Sequence, residues 1–144
     1  MQILREQQHS EEHTEPSGTW PTKSHRQTSR ILVADDDPQV LRVIVRVLRH
    51  AGLDVHSANS SAEALRLIEA FPFDAVVTDL FAPATNGTLV LAAVREHALL
   101  VPVILISGGC DPRNTPALVG DAALHFLAKP FCARELAELI ARLT

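Results

Sequence analysis

The sequence predicts an α/β fold: a doubly wound parallel sheet of five strands with helices on both faces. From Ile31 onward, short apolar runs alternate with amphipathic stretches, the pattern of consecutive βαβ units. The runs are nearly continuous in apolar residues rather than strictly alternating, as expected of strands covered on both sides. Four of them end in residues suited to phosphate: Ile31–Ala34 runs into Asp35, Asp36 and Asp37, Ala75–Thr78 into Asp79, Val103–Ile106 into Ser107, and Phe126–Ala128 into Lys129-Pro130. In a parallel sheet all four endings lie on one edge, at the carboxyl ends of strands where such folds bind ligands.

Each element has a local justification. The first strand, 31–34, leads into a helix with Asp37 as N-cap and Pro38 at its first position. Val40, Leu41, Ile44, Val47 and Leu48 form its apolar stripe, and Gly52 stops it. A second strand covers 53–58. Ser60, with Glu63 three residues on, reads as a capping box for a helix running through Ala70. The third strand is 74–78, ending at Asp79. Asn86-Gly87 signals a turn before a helix near 88–97. Pro102 precedes the fourth strand, 103–106. The stretch 108–116 is rich in Gly and Pro, so any helix there is short and late, near 117–120. The fifth strand covers 124–128, and a last helix runs from Ala133 to Leu143.

Residues 1–29 differ in kind. They are rich in Gln, Glu, His, Ser, Thr and Pro and cannot bury enough to fold alone, so they read as a disordered polar extension or linker ahead of one domain, 30–144. Trp20 is the exception: either a stray exposed aromatic, or a short docking element that packs on the domain or on a partner.

Residues 1–30 carry four cations and four acids, so the folded part holds the whole net charge of −4. An acidic domain without a basic stripe argues against direct nucleic-acid binding. No apolar run approaches the roughly 18 residues of a membrane span, and the polar N-terminus lacks a signal-peptide core. Cytoplasm is the expected location. Cys110 and Cys132 lack CxxC spacing and read as reduced thiols. The seven histidines are divided between the lead-in and four scattered positions, which reads against a transition-metal site.

The strand endings carry the chemistry. Carboxylates crowded at one edge repel and call for a compensating charge. A hard divalent cation with oxygen ligands supplies it, and Mg²⁺ favours one or two carboxylates with water and phosphate oxygens. Asp79 on a neighbouring strand, about 4.8 Å away by strand spacing, would join Asp35 and Asp36. Lys129 is the only lysine after residue 30 in a segment whose other eight cations are arginine. Its flexible stem can place a point charge on a phosphate. Ser107, followed by Gly108-Gly109, offers a hydroxyl and closely approaching backbone N–H groups. A nucleophilic carboxylate, acids for a metal, a hydroxyl and a lysine are equipment for phosphoryl transfer onto aspartate.

In the order Asp35-Asp36, Asp79, Ser107, Lys129-Pro130-Phe131, residues 30–143 closely resemble the receiver domain of two-component response regulators. The resemblance implies a flavodoxin-like sheet of order 2-1-3-4-5. Asp79 would accept a phosphoryl group from a phosphohistidine on a sensor histidine kinase or histidine phosphotransfer protein. The metal would be Mg²⁺, held by Asp36, by Asp35 through water, by Asp79 and by the backbone carbonyl of Phe81. Ser107 would swing toward the phosphoryl group, Lys129 would pair with it, and Lys129-Pro130 would be cis. Phe126 takes the aromatic switch position. The chain would be a self-phosphorylating phosphoacceptor rather than a dedicated enzyme, switching its contacts with an unknown downstream protein.

Departures accompany the match. The loop after Asp79 reads Leu80-Phe81-Ala82-Pro83-Ala84-Thr85-Asn86-Gly87, where the family usually has Met in place of Ala82 and Thr85. Pro83 and Gly87 keep the loop shape, and the smaller residues imply looser packing beneath it. Phe81 and Gly109 stand where the hydrolytic water is oriented and can orient none, which implies slow self-dephosphorylation. A homodimer is allowed, though the 108–116 stretch argues against one built on the usual fourth-helix face. The chain is expected to be a stand-alone receiver or the receiver part of a larger protein such as a hybrid kinase, with a non-phosphorylated adaptor as the alternative. A haloacid-type phosphatase is disfavoured, since it needs a second Asp where Phe81 stands, and a flavodoxin because acids follow the first strand.

Overall fold

The computed structural model describes residues 19–21, 28–82, 84–108 and 120–144, with only the backbone described for Phe81 and Ala82. Strands β1 (Arg30–Ala34), β2 (Asp54–Ala58), β3 (Ala75–Asp79), β6 (Val103–Ser107) and β7 (Leu124–Ala128) form one five-stranded sheet. Its order is β2-β1-β3-β6-β7, and every neighbouring pair is parallel. Among the described residues four helices connect or follow them: α1 (Pro38–His50), α2 (Ser61–Ala70), α3 (Gly87–His97) and α4 (Ala133–Leu143). With the small hairpin set aside, this is the expected 2-1-3-4-5 order. The hairpin, β4 (Phe81–Ala82) against β5 (Thr85–Asn86), was not foreseen in the sequence.

The two faces of the sheet follow the two-residue period of its strands. Leu32, Val76 and Leu105 point to one side and pack with Ala64, Ile68, Val90 and Val94 of α2 and α3. Ile31, Val33, Val77 and Ile104 point to the other and pack with Ile44 and Leu48 of α1 and Leu136 and Ile140 of α4. Burial on both faces is why the strands read as unbroken apolar runs.

Local signals set the helix ends. Asp37 caps α1 by accepting from the Gln39 and Val40 N–H groups at 2.9 and 3.4 Å, and Gly52 beyond its end takes φ +91°. Ser60 Oγ accepts the Glu63 N–H at 3.1 Å. The return arm of the expected capping box goes elsewhere, with Glu63 Oε1 accepting the N–H of Asn59 at 2.8 Å. Asn86 is the N-cap of α3 itself, taking the Thr88 N–H at 3.0 Å, so α3 begins one residue earlier than expected. Asp79 and Ser107 close their strands rather than following them. The short helix expected near 117–120 lies outside the described residues except for Gly120, which forms a turn with φ +91°.

Of the polar lead-in, Ser29 is buried and its carbonyl accepts the Asp54 N–H at 2.9 Å. The disorder expected of residues 1–29 otherwise concerns positions outside the described residues, save 19–21 and Thr28. Among the described residues no helix is long and apolar enough to cross a membrane.

Candidate functional site

Where β1 ends, the chain turns outward at Asp35, whose N–H still bonds to the Ala58 carbonyl of β2 at 3.0 Å. The Asp35 carboxylate is buried, and its Oδ1 accepts the Asp37 N–H at 2.8 Å. Asp36 is partly exposed, and its Oδ2 accepts the Ala84 N–H at 3.1 Å. Asp79, the last residue of β3, is also buried. One oxygen from each of Asp35, Asp36 and Asp79 lies within 4.8 Å of the others. Asp37 is spent on the α1 cap and stays out of this cluster.

Lys129 arrives from two strands away, as the strand order requires. Its Nζ lies 3.1 Å from Asp79 Oδ1, pairing a half-exposed cation with a carboxylate only 3% exposed. Beneath it, a Cβ added to Gly108 would stand 3.2 Å from Lys129 Cδ and 3.3 Å from its Cβ. Gly108 therefore makes room for the lysine stem. Ser107 sits at the end of β6, between Asp79 and Lys129, and its carbonyl accepts the Lys129 N–H at 2.8 Å. The Lys129-Pro130 bond is cis, as the resemblance implied.

Electrostatics marks Asp35 most strongly. Burial pushes its carboxyl up to about 6; the Asp37 amide opposes this, while the charge of Asp79 and a hydrogen bond shared with it push the same way. Lys129 offsets part of the effect. Three clustered carboxylates facing one ammonium leave negative charge in excess, and their donors are all oxygens. That donor set fits a hard divalent cation such as Mg²⁺.

The remaining expected residues divide. Phe126 lies in β7 opposite Leu105, three residues before Lys129, with its ring 38% exposed. Phe81 pairs with Asn86 through its backbone; its side chain, Pro83 and Gly109 lie outside the described residues. The looser packing expected under Ala82 and Thr85 involves an Ala82 side chain outside the described residues; Thr85 is buried, and its hydroxyl finds no hydrogen-bond partner.

Two contributors escaped the sequence reading. Ala84 holds Asp36 through its amide, and Ser61 holds the hairpin, donating its N–H to the Ala84 carbonyl at 2.9 Å and accepting the Asn86 N–H at 2.6 Å. Backbone contacts of this kind leave no residue-type signal. Gly87 did carry a signal, but its role is close approach: a Cβ there would lie 2.5 Å from the Asp79 carbonyl oxygen.

Comparison with known proteins agrees with this geometry. The family model of the response regulator receiver domain matches residues 31–141. The transcriptional regulatory protein PrrA of Mycobacterium leprae is 39% identical over 113 residues, which cover 78% of this chain and 47% of PrrA. The sensor kinase CckA of Brucella abortus is 31% identical over 115 residues, 78% of this chain and 12% of CckA. The chain thus spans about half the length, or less, of these curated relatives. Among solved structures, a Francisella response regulator receiver domain superposes with a TM-score of 0.70 at 30% identity, covering 81% of this chain and 96% of that one.

Proposed function

This chain belongs to the response regulator receiver domain family of two-component systems, and from that premise we propose that Asp79 accepts a phosphoryl group from a phosphohistidine. One observation carries the reading: a buried Asp79 carboxylate lies within 4.8 Å of Asp35 and Asp36 oxygens and 3.1 Å from Lys129 Nζ.

An Asp79 carboxylate oxygen attacks phosphorus, the O–P bond forms, and the P–N bond to the donor imidazole breaks. The donor ring, protonated on its other nitrogen, leaves as neutral imidazole with the electron pair of the broken P–N bond. Lys129 holds the carboxylate in place beforehand and pairs with a phosphoryl oxygen afterwards. Ser107, between them at the strand edge, offers its hydroxyl to a second oxygen. Asp35, Asp36 and Asp79, with the Phe81 carbonyl, would hold Mg²⁺, which when bound neutralises charge on the phosphoryl oxygens. The half-exposed ring of Phe126 reports the altered pocket to a downstream protein by changing its burial.

The donor is a sensor histidine kinase or a histidine phosphotransfer protein, and the setting is cytoplasmic, in keeping with the free, exposed thiol of Cys132. The similarity to CckA, a sensor kinase, supports a second reading, in which this receiver is one module of a larger kinase.

Incubation of the intact protein with acetyl phosphate and Mg²⁺, followed by intact-mass spectrometry, tests the proposal. One added phosphoryl group is expected, and none in Asp79→Asn. No adduct, or an adduct that survives the substitution, overturns it.

A further inference from the structure

Trp20 lies at the opposite end of the molecule from the strand-edge pocket. Its ring stacks on His97, with centroids 5.4 Å apart and planes 19° apart, and meets Phe73 edge-on at 5.9 Å. The Trp20 backbone N–H donates to the His97 carbonyl at 3.3 Å. His97 is the last residue of α3, so this bond satisfies one of the carbonyls that a helix end leaves open. The His97 ring is itself held, with Nε2 3.1 Å from Glu69 Oε2 of α2 and a side chain only 7% exposed. Phe73, just ahead of β3, is fully buried. Thr19 and Pro21 are exposed on either side, so Trp20 alone is the anchoring residue.

We propose that the carboxyl ends of α2 and α3, with Phe73, form a docking seat for an aromatic segment, and that its occupant is residues 19–21 of this chain's own lead-in. Stacking, an edge contact and a backbone hydrogen bond together make a three-point fit that an incidental surface aromatic does not have. Pro21 restricts Trp20 to extended backbone and lowers the entropy lost on docking. The occupant comes from the same molecule because Ser29 and the start of β1 lie on the amino edge of the sheet, as does the seat. The six intervening residues, 22–27, reach about 20 Å when extended, and so short a tether gives an effective concentration of order millimolar.

Trp20 is the only tryptophan, which makes the test direct. In the full chain its emission is expected to be blue-shifted and its acrylamide quenching constant several-fold below that of N-acetyltryptophanamide. Both should be unchanged over a hundred-fold dilution (roughly the range that separates tethered from bimolecular contacts). In His97→Ala the quenching constant should rise toward the free value while far-UV circular dichroism stays the same. Free-like quenching in the wild type overturns the seat, as does unaltered quenching in a folded His97→Ala. Protection lost on dilution overturns the intramolecular occupant in favour of a second copy. Should His97→Ala fail to fold, amide exchange in Trp20→Ala decides: faster exchange confined to 67–73 and 94–98 supports the seat, and an unchanged pattern overturns it. None of these outcomes depends on phosphorylation of Asp79.

Discussion

Asp35 concentrates the electrostatic cost of the pocket. Its carboxyl is held near 6 against an ordinary value of 3.8, chiefly by burial. The metal-free folded state therefore binds an extra proton between those values, and its stability falls as pH rises through that window. Thermal melts in EDTA are expected to show a lower midpoint at pH 7 than at pH 5 from this group. Asp35→Asn keeps the Oδ1 acceptor for the Asp37 amide and removes the charge. It should raise metal-free stability at pH 7 by on the order of 1–3 kcal/mol and abolish the midpoint increase expected of Mg²⁺ in the wild type. Thr85 is a cost of another kind, a buried hydroxyl without a partner. Thr85→Val keeps the shape and should stabilise the protein by about 1 kcal/mol in urea titrations. The need for acids at the pocket was legible from residue types, since Asp35, Asp36 and Asp79 each follow an apolar run. Asp37 was legible as the α1 cap; the difference between Asp35 and Asp36 was not, because it depends on which carboxylate the Ala84 amide meets and which is buried.

Among the elements, α3 is bound at both ends. Its first residue, Gly87, rests against the Asp79 backbone, and its last turn is tied to the start of β7 by Arg95. That guanidinium grips Asp121 twice, Nε to Oδ2 at 2.7 Å and NH2 to Oδ1 at 3.0 Å. It also donates to the carbonyls of Ala98 and Val101 at 3.1 and 2.7 Å. The Arg95 hydrogen bonds hold the Asp121 carboxyl below the usual range. Their contribution is thus present above the ordinary aspartate value and is lost as pH falls through the lowered one. Arg95→Ala should cost about 2–3 kcal/mol by denaturant unfolding, since it also strips a largely buried carboxylate of its cation and leaves it the Ala123 amide. Helix boundaries were readable where a side chain caps the helix, as at Asp37, or where a glycine with positive φ follows its end, as at Gly52. The β4–β5 hairpin was not, because two-residue strands have no period to detect and Ser61 and Asp36 hold this one from outside.

For the whole molecule, charge is unevenly placed. The chain carries −4, yet α1 holds Arg42, Arg46, Arg49 and His50 and no acid. Val43, on the same helix, is 56% exposed. Beside it opens a cleft of about 630 Å³, lined by Val40, Val43, Pro130 and Phe131 and reaching Lys129. A partner delivering a phosphoryl group to Asp79 is expected to meet this apolar cleft beside Lys129, while the arginines of α1 line a separate cleft. Val43→Asp is therefore expected to cut transfer from a kinase or phosphotransfer protein at least about ten-fold, the effect of some 1.4 kcal/mol. Labelling by acetyl phosphate should be unchanged. Equal loss with both donors would place the defect in the pocket instead.

The sequence by itself determined the sheet and the identity of the groups on its edge. Apolar runs separated by capped amphipathic helices allow little else, and parallel strands bring all their carboxyl ends together. Only the tertiary structure decided how those groups share the work. Lys129 reaches Asp79 because Gly108 clears its stem, and Asp36 is steadied by an amide 48 residues away. Trp20 is partly buried because α2 and α3 end side by side with Phe73 between them. Such pairings depend on distances between segments far apart in the chain, and no local run of residues encodes them.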